Sequence, residues 1–359
     1  MKSSSRPSST SVRLHYSSKT SFIKRSRNEK THVWRPPMSE LFDTLNFLIP
    51  LIIASMVPLS LVALGGLFSE RSGVVNIALE GIMVMGGFVG IVLMRTLVDS
   101  GLPLQLISLI GLITGALVGI LYAALHAFAS VTMKSNQIIS ATALNLFAPA
   151  LSVFIARIFY GTSNINLGGN YTIPEVPVLS SIPILGPWLF TNAYLSTYLG
   201  IVIFAVAITF LYKTKLGLRI RACGENPQAA DSLGVNVYKI RYFGVLISGA
   251  LAGMGGVIFV LSFATRFQGT VAGFGFLALA VMIFGQWKPR GILLAAVFFA
   301  TVRVIANAYT AIPGLQNISI PSEIYSMLPY IITLVVLAFA SKNSRAPKAA
   351  GEPYDAGKR

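Results

Sequence analysis

The chain has 359 residues, of which 54% are hydrophobic and only 11% are charged, and its formal net charge is +16. A soluble domain carries about 25% charged residues, so this composition excludes a soluble globular protein and indicates an integral membrane protein. The basic residues lie in the tails and in the loops between apolar segments, with no RNA-binding pattern of stacking aromatics beside them. The positive charge therefore indicates loops that stay on the cytoplasmic side, and no nucleic-acid partner is expected.

Residues 1–37 form a separate basic extension that is rich in Ser, Lys and Arg and contains Glu29 as its one acidic residue. This composition is typical of a disordered tail on a membrane surface, and also of an organelle-targeting peptide. A third interpretation is that the protein begins at Met38, which opens the ordinary start MSELFDTLNFLIP. We favour the first or the third interpretation.

Apolar segments alternate with polar loops along the rest of the chain. They fall near 47–68, 74–95, 103–130, 138–159, 195–212, 242–263, 274–287, 291–307 and 327–340. A helix needs about 20 residues to cross the hydrocarbon core. The pattern predicts an all-α, polytopic membrane protein with about nine transmembrane helices, in a range of about eight to ten. This transmembrane domain would span residues 38–341, and residues 342–359 would form a basic cytoplasmic tail.

The charges of the loops predict which side of the membrane each loop occupies. The loop 213–241 carries six Lys and Arg residues against two acids and is predicted to be cytoplasmic. The loops 160–194 and 308–326 contain no Lys or Arg and are predicted to be external. The first half leaves two alternatives: if 74–95 crosses fully, the N-terminus lies outside, and if it is re-entrant, the N-terminus lies inside. We favour the full crossing.

A faint internal repeat relates the two halves of the chain. Four apolar segments precede the central segment 195–212 and four follow it. In each half a short, interrupted segment follows a long one, and the two interruptions lie at 72–81 and 271–280. Paired broken segments at matching places in two halves indicate a substrate pathway.

Polar residues in and near the first interruption are candidates for that pathway. Asn76 and Glu80 are four residues apart, so we expect them to share a helix face. A carboxylate within an apolar segment is costly, and Glu80 is expected either to line or support the pathway or to pair with Arg71 as a structural lock. Asn145 is a weaker candidate, because buried amides in membrane helices often only bond across helices.

The second interruption contributes two aromatic candidates, Phe274 and Phe276, on either side of Gly275. Aromatic faces can stack on a base or another planar ligand, although packing or interfacial anchoring is the commoner role for such residues.

Signatures of enzymes and of metal or cofactor sites are absent from the sequence. It contains neither a Gly-x-x-x-x-Gly-Lys-Ser/Thr loop for ATP phosphates nor a His-Glu-x-x-His motif. Three scattered histidines and the single Cys223 are too few for a metal site or an internal disulfide. We expect no catalytic residue, no metal and no cofactor in this chain.

The cytoplasmic loop contains the start and stop signals of one short helix. Asn226 is placed to be the N-cap, Pro227 fits the first helical position, and Gly234 fits the position just past the end. A small helix of this kind on the cytoplasmic side is what a transporter would present to a motor protein.

Five motifs resemble, in order and spacing, those of the type-2 binding-protein-dependent ABC permeases, and most closely the bacterial simple-sugar and nucleoside permeases. They are SERSGVVNIALEGIM (69–83), KSNQIISATALNLFA (134–148), GLRIRACGENPQAADSLGVNVYKIRY (217–242), SGALAGMGG (248–256) and GFGFLALAVMIFGQWKPRG (273–291). The resemblance covers about residues 40–340. The basic extension departs from the family pattern, and so does Gln286, which stands where a basic residue is frequent.

The resemblance implies a permease subunit of an ATP-driven importer in the bacterial cytoplasmic membrane. Its cargo would be nucleosides or simple sugars, with nucleosides as the first choice and ribose or galactose as the alternative. The implied partners are cytoplasmic ATP-binding subunits, a second, non-identical permease, an extracellular lipid-anchored substrate-binding protein and membrane lipids.

The resemblance also implies roles for particular residues. The stretches around Asn76 and Glu80 and around 273–285 would line the central pathway. The residues that would contact the ATPase are Gly224, Glu225, Asn226, Pro227, Ala229, Ala230, Asp231 and Gly234.

Two rival functions remain at this point. An ion-coupled secondary transporter of a small polar solute would need intramembrane carboxylates, and Glu80 alone qualifies. A membrane-bound enzyme is disfavoured because the sequence shows no acid–base cluster.

Overall fold

The structure is a computed structural model, and it describes residues 38–264, 266–312, 321, 324–325, 327–329, 331–332, 334–335 and 346–355. The predictions for residues 1–37 lie outside this part of the chain. The helices are α1 (Met38–Arg71), α2 (Leu79–Leu97), α3 (Leu104–Ala127), α4 (Gln137–Tyr160), α5 (Leu195–Lys213), α6 (Lys215–Glu225), α7 (Pro227–Ser232), α8 (Val237–Phe259), α9 (Phe274–Phe284) and α10 (Pro289–Asn307). Four short strands complete the described structure: β1 (Ile165–Asn166), β2 (Thr172–Glu175), β3 (Thr191–Tyr194) and β4 (Arg266–Phe267).

Seven of the described helices are long and apolar enough to cross a membrane, namely α1, α2, α3, α4, α5, α8 and α10. The apolar helix α9 has 11 residues and is about 16 Å long, which is roughly half a hydrocarbon core. In the last predicted segment, the described positions 327–329, 331–332 and 334–335 are helical. The prediction of an all-α polytopic membrane protein is confirmed.

Contacts between helices fix the directions in which they run. The C-terminal end of α1 meets the basic loop 213–241, because the Arg71 guanidinium lies 3.0 Å from the Glu225 carboxylate. With that loop in the cytoplasm, α1 runs inward and begins at the external side. The helix α4 then ends at the external strands. In this arrangement the segment 74–95 crosses the membrane fully, which is the alternative that we favoured from the sequence.

The helix α8 lies at the centre of the bundle and packs against α1, α2 and α3. Glycines permit this close packing. A Cβ atom added at Gly86 would lie 2.5 Å from the Cα atom of Gly253, and a Cβ atom at Gly253 would collide with the carbonyl oxygen of Gly115. Lipid supplies no hydrophobic drive for helix association, so close backbone contact through small residues is what holds membrane helices together.

Two small antiparallel sheets lie at the ends of the helices opposite the loop 213–241, on the side predicted to be external. Strand β1 pairs with β4, where Ile165 faces Phe267, and β2 pairs with β3, where Thr172 faces Tyr194. The apolar pattern did not predict these strands, because each has only two to four residues. They attach the long external loop after α4 to the chain before α5 and to the chain after α8.

Candidate functional site

The chain between α1 and α2, residues 72–78, is not helical, and most of its residues are buried. Gly73 has a φ of +97°, a conformation that glycine adopts readily and other residues seldom do. The N–H of Val75 donates a hydrogen bond of 2.7 Å to Oε1 of Gln137, and its carbonyl oxygen lies 3.0 Å from Nε2 of His126. Side chains of α3 and α4 thereby satisfy backbone groups that a continuous helix would have satisfied itself.

Asn76 lies in this non-helical stretch, so the expectation that it shares a helix face with Glu80 is wrong. Its Oδ1 accepts a hydrogen bond of 3.1 Å from the N–H of Ala78, and its Nδ2 donates one of 2.9 Å to Oγ of Ser248. An asparagine side chain that bonds nearby backbone competes with the helix. Asn76 thus helps to delay the start of α2 to Leu79 and ties the break to α8.

The Glu80 carboxylate caps the N-terminus of α9. Its Oε1 accepts a hydrogen bond of 2.9 Å from the N–H of Gly273, and its Oε2 accepts one of 2.7 Å from the N–H of Gly275. A carboxylate at this place satisfies unpaired N–H groups and interacts favourably with the positive end of the helix dipole. The structural pair that we expected with Arg71 is wrong, because Arg71 bonds Glu225 instead. Glu80 joins the two broken segments directly.

Asn145 of α4 holds the first break from its other side. Its Oδ1 accepts a hydrogen bond of 2.8 Å from the N–H of Gly81, and its Nδ2 donates one of 2.9 Å to the carbonyl of Ile77. The amide therefore spans the first residues of α2. This bonding between helices is the alternative role that the sequence left open for Asn145.

The two aromatic candidates lie in different environments. Phe274 is buried, with its ring centroid 4.5 Å from that of Phe259, and the Arg303 guanidinium lies 4.3 Å from its centroid. Phe276 is 50% exposed in the single chain. Contact with substrate stays a prediction for all five pathway candidates, and Phe276 is the one among them whose side chain is open to a ligand or a second subunit.

The cytoplasmic end of α9 is tied to α1 and to the basic loop. Nε1 of Trp287, just past α9, donates a hydrogen bond of 2.5 Å to Oε2 of Glu70. Nη2 of Arg71 donates to the carbonyl of Trp287 at 2.9 Å, and Nη1 donates to Oε1 of Glu225 at 3.0 Å. One guanidinium thus connects the end of α1, the turn after α9 and the cytoplasmic helices.

The predicted cytoplasmic helix is α7, and its start and stop are confirmed. Oδ1 of Asn226 accepts a hydrogen bond of 3.0 Å from the N–H of Ala229, Pro227 occupies the first position, and Gly234 has a φ of +80° just past the end. The sequence interpretation missed α6, a longer helix that precedes α7 and carries three of the six basic residues of the loop, Lys215, Arg219 and Arg221.

The residues expected to contact the ATPase differ in their exposure to solvent. Gly224, Pro227 and Ala230 are buried and therefore position the helix, whereas Glu225, Asn226, Ala229 and Gly234 are exposed and Asp231 is half-buried. The exposed face also contains residues that the sequence interpretation did not include, Gln228, Ser232 and Leu233. Leu233 is 86% exposed. A large apolar residue next to the stop glycine, after a helix made of small and polar residues, is a signal that could have identified it.

The described part of the C-terminal tail, residues 346–355, packs on this cytoplasmic face. The N–H of Ala349 donates a hydrogen bond of 2.9 Å to the carbonyl of Gly224. Nη1 of the buried Arg241 donates to the carbonyl of Glu352 at 2.7 Å, and the ring of Tyr354 packs against that of Tyr238. The tail thus braces α6 and the start of α8 from the cytoplasmic side.

Comparison with known proteins identifies the family. Residues 48–337 match the family described as "Branched-chain amino acid transport system / permease component". The chain belongs to this permease family. This confirms the resemblance seen in the motifs.

Named relatives are similar to the permease over most of its length. It is 42% identical over 313 residues to the nucleoside ABC transporter permease protein NupC of Lactococcus lactis subsp. cremoris (strain MG1363), which covers 87% of the permease and 98% of NupC. It is 37% identical over 328 residues to the guanosine ABC transporter permease protein NupQ of Bacillus subtilis (strain 168), with 89% and 100% covered. The glucose ABC transporter permease protein TsgB13 of Haloferax volcanii is 25% identical over 309 residues, with 82% and 76% covered.

Family membership and the apolar helices give the permease its location. It is a multi-pass protein of the bacterial cytoplasmic membrane. Its single cysteine, Cys223, is buried in α6, and this burial raises the pKa of the thiol from its usual 9.0 to about 11. The thiol is therefore neutral at physiological pH and poorly placed for covalent chemistry.

Proposed function

We propose that the permease is one transmembrane subunit of an ATP-driven importer of nucleosides. The observation that carries the substrate class is the 42% identity to NupC over 98% of that protein's length. The observation that supports the coupling to ATP is the tie, through Arg71, between an exposed cytoplasmic helix and a broken helix inside the membrane. Ribose or galactose is the second choice of cargo.

The partners in this proposal are those that membership in the family of ABC permeases implies. ATP hydrolysis takes place on separate cytoplasmic subunits, which dock on the exposed face of α7. A second, non-identical permease completes the pathway. A lipid-anchored binding protein delivers the nucleoside from outside.

Mechanistically, closure of the ATPases moves α6 and α7. Arg71 passes this motion to the turn after α9 through its bond to the Trp287 carbonyl, and α9 carries it to its own N-terminus, where Glu80 holds it. Because α9 is short and both breaks are tied by side chains, a small displacement at the cytoplasmic face shifts backbone at mid-membrane. The permease performs no covalent chemistry.

Reconstituted vesicles test the function. The four kinds of subunit are placed in proteoliposomes, and uptake of radiolabelled guanosine is measured with ATP inside, with and without ionophores that collapse ion gradients. Uptake that needs ATP and survives the ionophores is the expected result. Uptake that stops with the gradient instead identifies a secondary transporter. Competition by excess unlabelled ribose, galactose or glucose, with no competition by other nucleosides, contradicts the nucleoside assignment.

A further inference from the structure

A cavity of about 450 Å³ lies at the external side of the permease. The first half of α1, the external end of α5 and the hairpin of β2 and β3 form its walls. Its volume is within the range of about 300–1,000 Å³ that is usual for small-molecule sites. Four aromatic side chains contribute to its lining, and they are Phe47, Trp188, Tyr194 and Tyr198.

Hydrogen bonds hold the walls of this external cavity in place. Nε1 of Trp188 donates a hydrogen bond of 2.7 Å to Oδ1 of Asn46, which ties the external loop to α1. The hydroxyl of Tyr198 donates to the carbonyl of Leu189, and the Tyr198 ring stacks on that of Phe190. The aromatic surface is therefore fixed before any ligand arrives, which lowers the entropic cost of binding.

Two hydroxyl groups in the cavity wall are buried and have no partner. Thr197 is 7% exposed, and neither its Oγ1 nor the Oγ of Ser262 has a hydrogen-bond partner in the part of the chain that the structure describes. Both residues line the cavity. A buried hydroxyl without a partner is unfavourable, so each of these two hydroxyls would be stabilised by a hydrogen bond to a polar ligand that reached it.

The charge of the lining restricts the ligand. The described residues that line the cavity include no Lys, Arg, Asp or Glu. A phosphorylated ligand would call for Arg or Lys, whereas a neutral base stacks on aromatic faces. The amide of Asn192 and the hydroxyls of Thr197 and Ser262 supply donors and acceptors for a base edge or a sugar.

We propose that this cavity is an external binding site on the permease for uncharged nucleosides, and that it rejects nucleotides. The identity of the ligand rests on the proposed function. The position of the site rests on the cavity, its aromatic walls and its two unpartnered hydroxyls.

The test exploits two neighbouring hydroxyls. Thr197→Val is nearly isosteric and removes the unpartnered hydroxyl of a residue that lines the cavity. Ser196→Ala is the matched control, because Ser196 is also fully buried with an unpartnered hydroxyl but does not line the cavity. Both variants are measured in the complete transporter, reconstituted with its ATPase, second permease and binding protein, by guanosine uptake and by melting temperature.

We expect Thr197→Val to raise the KM for guanosine about fivefold, because the loss of one hydrogen bond costs about 1 kcal/mol of binding free energy. Its melting temperature should not fall, because valine removes an unsatisfied polar group. Ser196→Ala should leave KM unchanged. If the wild type and both variants transport guanosine with equal KM values, the binding site is wrong and the proposed function is unaffected. If the wild type does not transport nucleosides, the proposed function itself is wrong.

A direct binding measurement tests whether the permease itself binds the nucleoside. The detergent-solubilised complex without its binding protein is titrated with guanosine and with guanosine monophosphate. We expect the complex to bind guanosine but not guanosine monophosphate, and Tyr194→Ala to weaken the binding of guanosine. Equal binding of both ligands, or a lipid chain that occupies the cavity and is not displaced by guanosine in native mass spectrometry, overturns the assignment.

Discussion

Replacement of Glu80 separates the two roles that its sequence context allows, a substrate contact or a structural cap. The carboxylate accepts hydrogen bonds of 2.9 and 2.7 Å from two N–H groups at the start of α9. A hydrogen bond to a charged group contributes about 1.5–3 kcal/mol. Glu80→Ala removes both bonds and leaves the buried N–H of Gly275 and the half-buried N–H of Gly273 without this acceptor, so we expect the free energy of unfolding to fall by about 3–6 kcal/mol.

Glu80→Gln is the finer perturbation. The glutamine oxygen can keep one bond, while its NH₂ group faces an N–H donor, so a loss of about 2–3 kcal/mol is expected. Glu175→Gln is the control, since Glu175 is exposed on β2, away from both broken segments, and surface substitutions usually change stability by less than about 0.5 kcal/mol. The free energies are measured by titration of the purified permease in mixed micelles with a denaturing detergent, and guanosine uptake is measured in parallel.

One result would refute the cap. If Glu80→Gln has the stability of the wild type within about 0.5 kcal/mol but abolishes uptake in a correctly assembled transporter, Glu80 acts on the substrate and not on α9. Parallel loss of stability and of assembly supports the cap.

The remaining predictions concern docking, packing and the thiol. Leu233→Asp should lower co-purification with the ATPase by about tenfold, which corresponds to roughly 1.4 kcal/mol. Val178→Asp, at a residue that is about equally exposed on the predicted external loop, should leave co-purification unchanged. Equal recovery of the ATPase with both variants contradicts the docking face. Gly253→Val should lower the free energy of unfolding by at least about 1–3 kcal/mol, since its side chain meets the carbonyl of Gly115, and an unchanged unfolding midpoint argues against the close packing. Cys223 should react with maleimide at pH 8 only after denaturation. The folded thiol keeps its proton up to a pKa of about 11, whereas the unfolded thiol loses it near 9.0. The contribution of this thiol to the free energy of unfolding should therefore be constant below pH 9 and decline between about pH 9 and 11. Rapid labelling of the folded protein would show that α6 opens.

The sequence by itself determined the features that depend on short stretches of chain. The length of each apolar segment determined the spans, and the placement of Lys and Arg predicted the side of each loop. The residues Asn226, Pro227 and Gly234 determined α7, because helix capping is a local interaction. The short length of α9 was also visible, since the apolar segment predicted at 274–287 is too short for a full crossing.

Only the tertiary structure decided which groups the polar residues bond inside the membrane. Glu80 caps α9 by accepting a hydrogen bond from Gly273, 193 residues later in the chain, and Arg71 pairs with Glu225, 154 residues away. Asn76 is not helical, because Ser248, His126 and Gln137 bond the stretch that contains it. A buried polar group must find a partner where water is absent, and that partner is set by the packing of distant helices.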